Sequence, residues 1–257
     1  MNKKQWNAFC LYKEKLKKIC EEVKRNEKEL RPLQKGACKE DTPEYSLENT
    51  VVYNTSYDDF TETDEIKLIV VGDNPGKEEQ LEKNRKYLVG QSGRIADGFF
   101  KRNSEFQIDF RKNVIISNKT PIHSAKTKHL KYIKNNGSEN IKKLLEESQI
   151  QMAEITAELH KSLIECADEN SFKTQLWIIG YAELKEKGIF EKYRNEIKSK
   201  YSEEKEIYWD NVFVFQHFSM NRFLSDLNLF MKENKNCSVK EALYKLGHLH
   251  RDKIFEF

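Results

Sequence analysis

The five cysteines, Cys10, Cys20, Cys38, Cys166 and Cys237, are far apart, and no Cys-x-x-Cys pair occurs among them. This removes the spacing of zinc ribbons and dithiol redox motifs, and the odd count fits reduced thiols in a cytosolic protein. No apolar run approaches the ~20 residues of a membrane-spanning helix. The basic start, Met1-Asn-Lys-Lys4, is followed by Lys13, Lys15, Lys17 and Lys18 before any apolar signal core can form. A soluble, cytoplasmic protein is expected. Gly-Lys-Ser/Thr is missing from the glycine-flanked loop at Gly72–Gly76, which argues against an NTPase, and no Gly-x-Gly-x-x-Gly follows the strand before it. Repeats, low-complexity tracts and Pro/Gly/Ser linkers are also missing, so residues 1–257 read as a single domain.

What is present is a polar but foldable balance. Charged residues make up 34%, hydrophobic residues 38% and aromatics 11%, and the last figure separates the chain from disordered ones. The net charge of +3 decides nothing by itself, because the placement of the lysines matters more.

Four short apolar runs bounded by polar or glycine residues read as buried strands. They are Ile66 to Val71, Asn113 to Asn118, Gln175 to Gly180 and Asn211 to Gln216. Helical periodicity is expected over Arg94 to Arg102, over Glu139 to about Ala167 with a break, and over Tyr181 to Lys200. It returns over Ser219 to Glu233 and Ser238 to Leu246. Residues 3 to about 30 form an amphipathic helix ended by Leu30-Arg-Pro32, either packed on the core or free as a binding arm. The alternation predicts an α/β fold: a three-layer α/β/α sandwich with a central four-stranded parallel sheet, plus an N-terminal helix over residues 1–31.

In such a sheet all carboxyl ends face one edge, where ligands bind. Asp73 and Asn74, Asn118, Gly180, and Gln216-His217-Phe-Ser219 then share one rim. An acid, two amides and a histidine at one edge mark a candidate site.

Within residues 51–222 these segments resemble motifs of the uracil-DNA glycosylase superfamily. Gly72-Asp-Asn-Pro-Gly76 is similar to the Gly-Met-Asn-Pro-Gly of single-strand-selective members and the Gly-Glu-Ala-Pro-Gly of thermostable ones. Gln216-His-Phe-Ser-Met-Asn-Arg222 resembles the His-Pro-Ser-Pro motif and its wedge. Tyr87-Leu-Val-Gly-Gln-Ser-Gly93 resembles Pro-Phe-Val-Gly-x-Ala-Gly, and Val51-Val-Tyr-Asn54 resembles Val-Tyr-Asn-Pro. The resemblance implies metal-independent excision of uracil or a related damaged base from DNA, without a cofactor, by a monomer. It implies Asp73, Asn74 and His217 as catalytic residues and Asn118 as reader of the base edge. Leu88 falls where the family has its stacking phenylalanine, with Tyr87 adjacent as a substitute. Ser219, Met220, Asn221 and Arg222 would engage DNA. Phe218 and Met220 replace both prolines of the motif, and no cysteine pattern matches the iron–sulfur ligands of some members. A catalytically inactive relative that binds nucleic acid or a partner protein is the alternative, and an enzyme of free nucleotides or nucleosides a third.

Lys119, Lys126, Lys128, Lys131 and Lys134 leave the second strand, and either track phosphates beside the site or form a solvated basic loop. Gly247-His-Leu-His-Arg-Asp252 is too sparse a ligand set for a metal and reads as a polar tail.

Overall fold

The computed structural model describes residues 1–167, 173–202 and 206–256. At its centre are β1 (Leu68–Gly72), β2 (Val114–Asn118), β3 (Gln175–Ile179) and β4 (Val212–Phe215), all parallel, in the order β2-β1-β3-β4. Strand residues alternate between two apolar layers, as the two-residue repeat of a pleated strand requires. Ile69, Val71, Ile115, Leu176, Ile178, Val212 and Val214 face one layer. Leu68, Val70, Val114, Ile116, Trp177, Ile179, Phe213 and Phe215 face the other. The four-stranded three-layer sandwich is therefore as expected, with both faces of the sheet covered.

The first layer is built by α1 (Lys3–Lys24), α5 (Glu139–Glu165) and α7 (Glu191–Tyr201). Asn2 caps α1 through a box with Gln5, and Ser138 caps α5 by accepting from the Ile141 N–H. The α1 stripe of Phe9, Tyr12, Leu16, Ile19 and Val23 is buried, and α1 lies along α5. It is thus part of the core. Its end differs from the expected one: α1 stops at Lys24, and α2 (Glu27–Cys38) follows with Pro32 inside it. Pro32, the sixth of its twelve residues, removes one interior backbone donor, and the burial of Leu30, Gln34 and Cys38 on either side offsets the loss. The expected break in α5 is absent. Its 27 residues are continuous, since apolar residues keep helical spacing throughout.

The second layer is built by α3 (Gln91–Arg102), α9 (Arg222–Glu233) and α10 (Val239–Phe255). Leu130 and Ile133 of α4 (His129–Asn136), Leu184 of the short α6 (Tyr181–Leu184) and Tyr208 of the short α8 (Glu206–Trp209) pack into the first layer. The expected helix from Tyr181 to Lys200 is split into α6 and α7 by a turn in which Lys187 is left-handed. The largest departure is at the end of the chain. Gly247 to Asp252 is not a tail but the middle of α10, with Gly247, His250 and Arg251 buried. No described helix is long and apolar enough to cross a membrane.

Candidate active site

Three strands deliver their carboxyl ends to a cavity of about 490 Å³. From β1 come Asp73 and Asn74, from β2 Asn118, and from the loop after β4 His217 and Ser219. Leu88 forms a wall, and Met220 and Arg222 stand at the mouth.

Asn118 is the most enclosed polar group. It is 1% exposed, and its Nδ2 has no hydrogen-bond partner in the protein. An unpaired buried amide donor is costly unless a ligand or water completes it. Its carboxamide lies against Gly72, where a Cβ would come within 2.4 Å of Oδ1. Glycine at the end of β1 is therefore what lets the amide lie flat there.

His217 is held in one tautomer. The Ser219 N–H donates to Nδ1 (3.0 Å), and Ser219 Oγ is 2.7 Å from the same nitrogen. The proton therefore resides on Nε2. Burial lowers the His217 pKa. Asp73 pulls it up, while Lys119 and Arg222 push it down. The result is a neutral imidazole with a free Nε2–H donor.

Asn74 donates through Nδ2 to Pro75 O (3.0 Å), Ser124 O (3.0 Å) and Ser124 Oγ (2.9 Å). Its amide nitrogen is used up on the protein side, which leaves Oδ1 as the acceptor for a ligand or water.

Asp73 is gripped from beneath. Lys119 Nζ lies 2.7 Å from Oδ1 and Thr127 Oγ1 donates to Oδ2 (3.0 Å). Gly180, at φ 94°, passes so close that a Cβ there would be 2.2 Å from Oδ1. Lys119 is fully buried, also donates to Gly72 O and Ile179 O, and sits 4.9 Å above the Phe190 ring. It is not a surface cation and contacts no DNA-accessible face, which corrects the expectation for this residue. Burial lowers the Lys119 pKa and the Asp73 carboxylate raises it.

Tyr87 also departs from expectation. Its ring is buried in the second layer and its hydroxyl donates to Val52 O (2.6 Å), so it cannot stack on a base. Leu88 stands alone in that position. Its φ of 51° is unusual for leucine and is enforced from both sides. Glu79 accepts from the Leu88 N–H (2.9 Å), and Arg111 donates to the Leu88 carbonyl. Gly93 permits this turn, since any Cβ there would collide with that carbonyl.

Glu79 is a further site residue, buried although it lies in the highly charged run from Lys77 to Lys86. It accepts from both Gly76 N–H (2.9 Å) and Leu88 N–H, and so ties the first-motif loop to the Leu88 wall. Burial raises its pKa to about 7, against the two backbone donors and Arg111. The signal was the three-residue spacing Gly76-Lys-Glu-Glu79, in which a carboxylate reaches back to a loop N–H as in a capping box.

At the mouth, Met220 (φ 54°) and Asn221 (φ 58°) are consecutive left-handed residues, and Met220 is 75% exposed. Asn221 opens α9 rather than lining the cavity. The basic run is largely neutralised. Lys126 and Lys128 pair with Asp41, Lys131 with Glu183 (3.1 Å) and Lys134 with Glu146 (2.7 Å). Among the described residues no group of three or more His, Cys, Asp or Glu side chains is arranged to hold a metal ion. In comparisons with known proteins, no family model, curated protein or solved structure matches the chain.

Proposed function

We propose that this protein is a metal-independent DNA glycosylase that hydrolyses the N-glycosidic bond of uracil or a related damaged base. The observation that carries this reading is the meeting of Asn118, Asp73 and a neutral His217 over one cavity.

Each group has a task suited to its chemistry. A base flipped from the stack, at a cost of a few kcal/mol, enters beside Leu88. The free Nδ2 of Asn118 donates to a base carbonyl and its Oδ1 accepts an imide N–H, a pairing that suits uracil. As the bond breaks, negative charge grows on the departing base and His217 Nε2–H donates to it. Asp73 faces the sugar cation, and Asn74 Oδ1 orients the attacking water. Met220, projecting from its left-handed turn, fills the gap in the stack, and Arg222 and Ser219 lie where the backbone passes.

The test is single-turnover incubation with single- and double-stranded uracil oligonucleotides, followed by alkali to cleave abasic sites. His217→Ala should slow cleavage by about 10²–10³, the usual effect of losing one preorganised donor. Wild-type protein that forms no abasic product from uracil, hypoxanthine or mismatched substrates refutes the proposal. One observation favours the second reading, an inactive relative that binds nucleic acid or a partner. Lys119 already occupies Asp73 Oδ1, and leucine stacks less strongly than an aromatic ring. That reading predicts salt-sensitive DNA binding without an abasic product.

A further inference from the structure

On the far side of the loop that carries Thr127, a second group of side chains is aligned. Cys38, the last residue of α2, has its Sγ 3.7 Å from His129 Nδ1 and 3.6 Å from Tyr45 Oη. His129, the first residue of α4, has its Nε2 2.8 Å from Asp41 Oδ1. Asp41 is held by Lys126 (3.2 Å), by Lys128, and by Thr42 Oγ1 (2.9 Å). A carboxylate can only accept, so Nε2 carries the imidazole proton and Nδ1 presents its lone pair to the thiol. Lys128, followed by Thr42, His129 and Lys126, keeps the Asp41 carboxyl well below the usual range, so it stays an acceptor for the Nε2 proton across neutral pH.

The order carboxylate–imidazole–thiol is that of an activated nucleophile, with a base beside it and a third group orienting the base. The other side of Cys38 opens on a cavity of about 620 Å³, which Tyr45, Thr42, Lys35 and Lys39 also line. Cys20 shows the contrast. Its thiol is buried, points at Val52 O, and is pushed up to about 12 by burial.

We propose that Cys38 is a nucleophilic thiol, with His129 as its base and Asp41 as the orienting group, that reacts with small hydroperoxides entering from this cavity. The Sγ proton passes to His129 Nδ1. The sulfur attacks the distal peroxide oxygen, so an S–O bond forms as the O–O bond breaks. The departing alkoxide, or hydroxide from hydrogen peroxide, takes the proton back from His129 and leaves as alcohol or water. Cys38 is oxidised by two electrons to a sulfenic acid, and the peroxide is reduced by the same two. None of this depends on the glycosylase reading.

The experiment treats the full chain with hydrogen peroxide, traps sulfenic acid with dimedone, and follows each of the five cysteines by peptide mass spectrometry. Cys38 should be labelled at least about tenfold faster than Cys10, Cys166 and Cys237, although those are more exposed. His129→Gln should reduce the Cys38 rate by about tenfold or more and leave the Cys10 rate unchanged. Labelling of Cys38 no faster than the exposed thiols overturns the proposal, as does a His129→Gln rate equal to wild type. If labelling of Cys20 shows that the variant has unfolded, the wild-type ranking alone decides.

Discussion

A lysine ammonium with no exposed surface is the most demanding residue in the molecule. Lys119 is tolerated because three oxygens, Gly72 O, Asp73 Oδ1 and Ile179 O, surround it and the Phe190 ring closes the remaining side. Such a pair contributes little net stability compared with an apolar pair, but breaking it strands a charge. Lys119→Met should therefore cost about 3–5 kcal/mol, and adding Asp73→Asn should recover most of that loss because no uncompensated carboxylate remains. Urea unfolding of the two single variants and the double checks this, and losses that simply add would show that the pair is not coupled. The inward course of Lys119 was partly legible. Side chains alternate along an extended chain, and Ser117 meets Tyr12 on the first layer. A lysine two residues on continues toward the same side, where Phe190 lies, while Asn118 turns to the cavity. A lysine just past a strand end is ordinarily a surface charge, and that expectation obscured the alternation. Nothing at Tyr87 gave a comparable signal, because the left-handed Leu88 that reverses the wall depends on the distant Arg111.

Among the elements, α10 shows how sequence and packing part. The four strands were legible because apolar runs with polar ends leave a buried parallel strand as the simplest reading, and their order in space puts Asp73, Asn118 and His217 at one edge. The second half of α10 was hidden by its two histidines and a glycine, which mimic a polar tail. The Ser238 capping box starts the helix, and the stripe of Leu243, Leu246, Ile254 and Phe255 carries it past β4 from one layer to the other. Gly247 is where the helix crosses the strand, and a Cβ there would sit 2.6 Å from Phe215 Cζ and 2.8 Å from Phe213 Cδ1. Two effects compete in Gly247→Ala. Alanine improves helix propensity by about 1 kcal/mol, whereas forcing a methyl group between two buried rings costs about 1–3 kcal/mol. The rings are fully packed, so destabilisation should win by about 1 kcal/mol. Thermal unfolding tests it, and a variant more stable than wild type would mean that α10 can lift from the sheet at little cost.

For the whole molecule, three buried groups make opposing contributions to stability against pH. Burial lowers His123 and His160 to about 4, so both fold in the neutral form. Between pH 6.5 and 4 the unfolded chain binds their protons more readily, and stability falls as the solution becomes more acid, by up to about 3 kcal/mol for each. Glu79 acts in the other direction. With its pKa raised to about 7, the folded protein holds that proton more tightly than the unfolded chain between pH 4.5 and 7. Its stabilising effect is complete below this window and is lost as pH rises through it, again by up to about 3 kcal/mol. Glutamine cannot titrate, so Glu79→Gln removes only the opposing slope. Any fixed cost of weaker bonds to the Gly76 and Leu88 N–H groups is the same at every pH. The variant should thus gain on wild type steadily from pH 4.5 to 7.5, while His160→Gln should lose acid sensitivity over 6.5 to 4. Urea titrations at four pH values across the range decide it. A Glu79→Gln difference equal at both ends would mean that the carboxylate is fully satisfied by its two backbone donors. In that case the link between the Asp73 loop and the Leu88 wall is charged throughout, and its strength does not depend on pH.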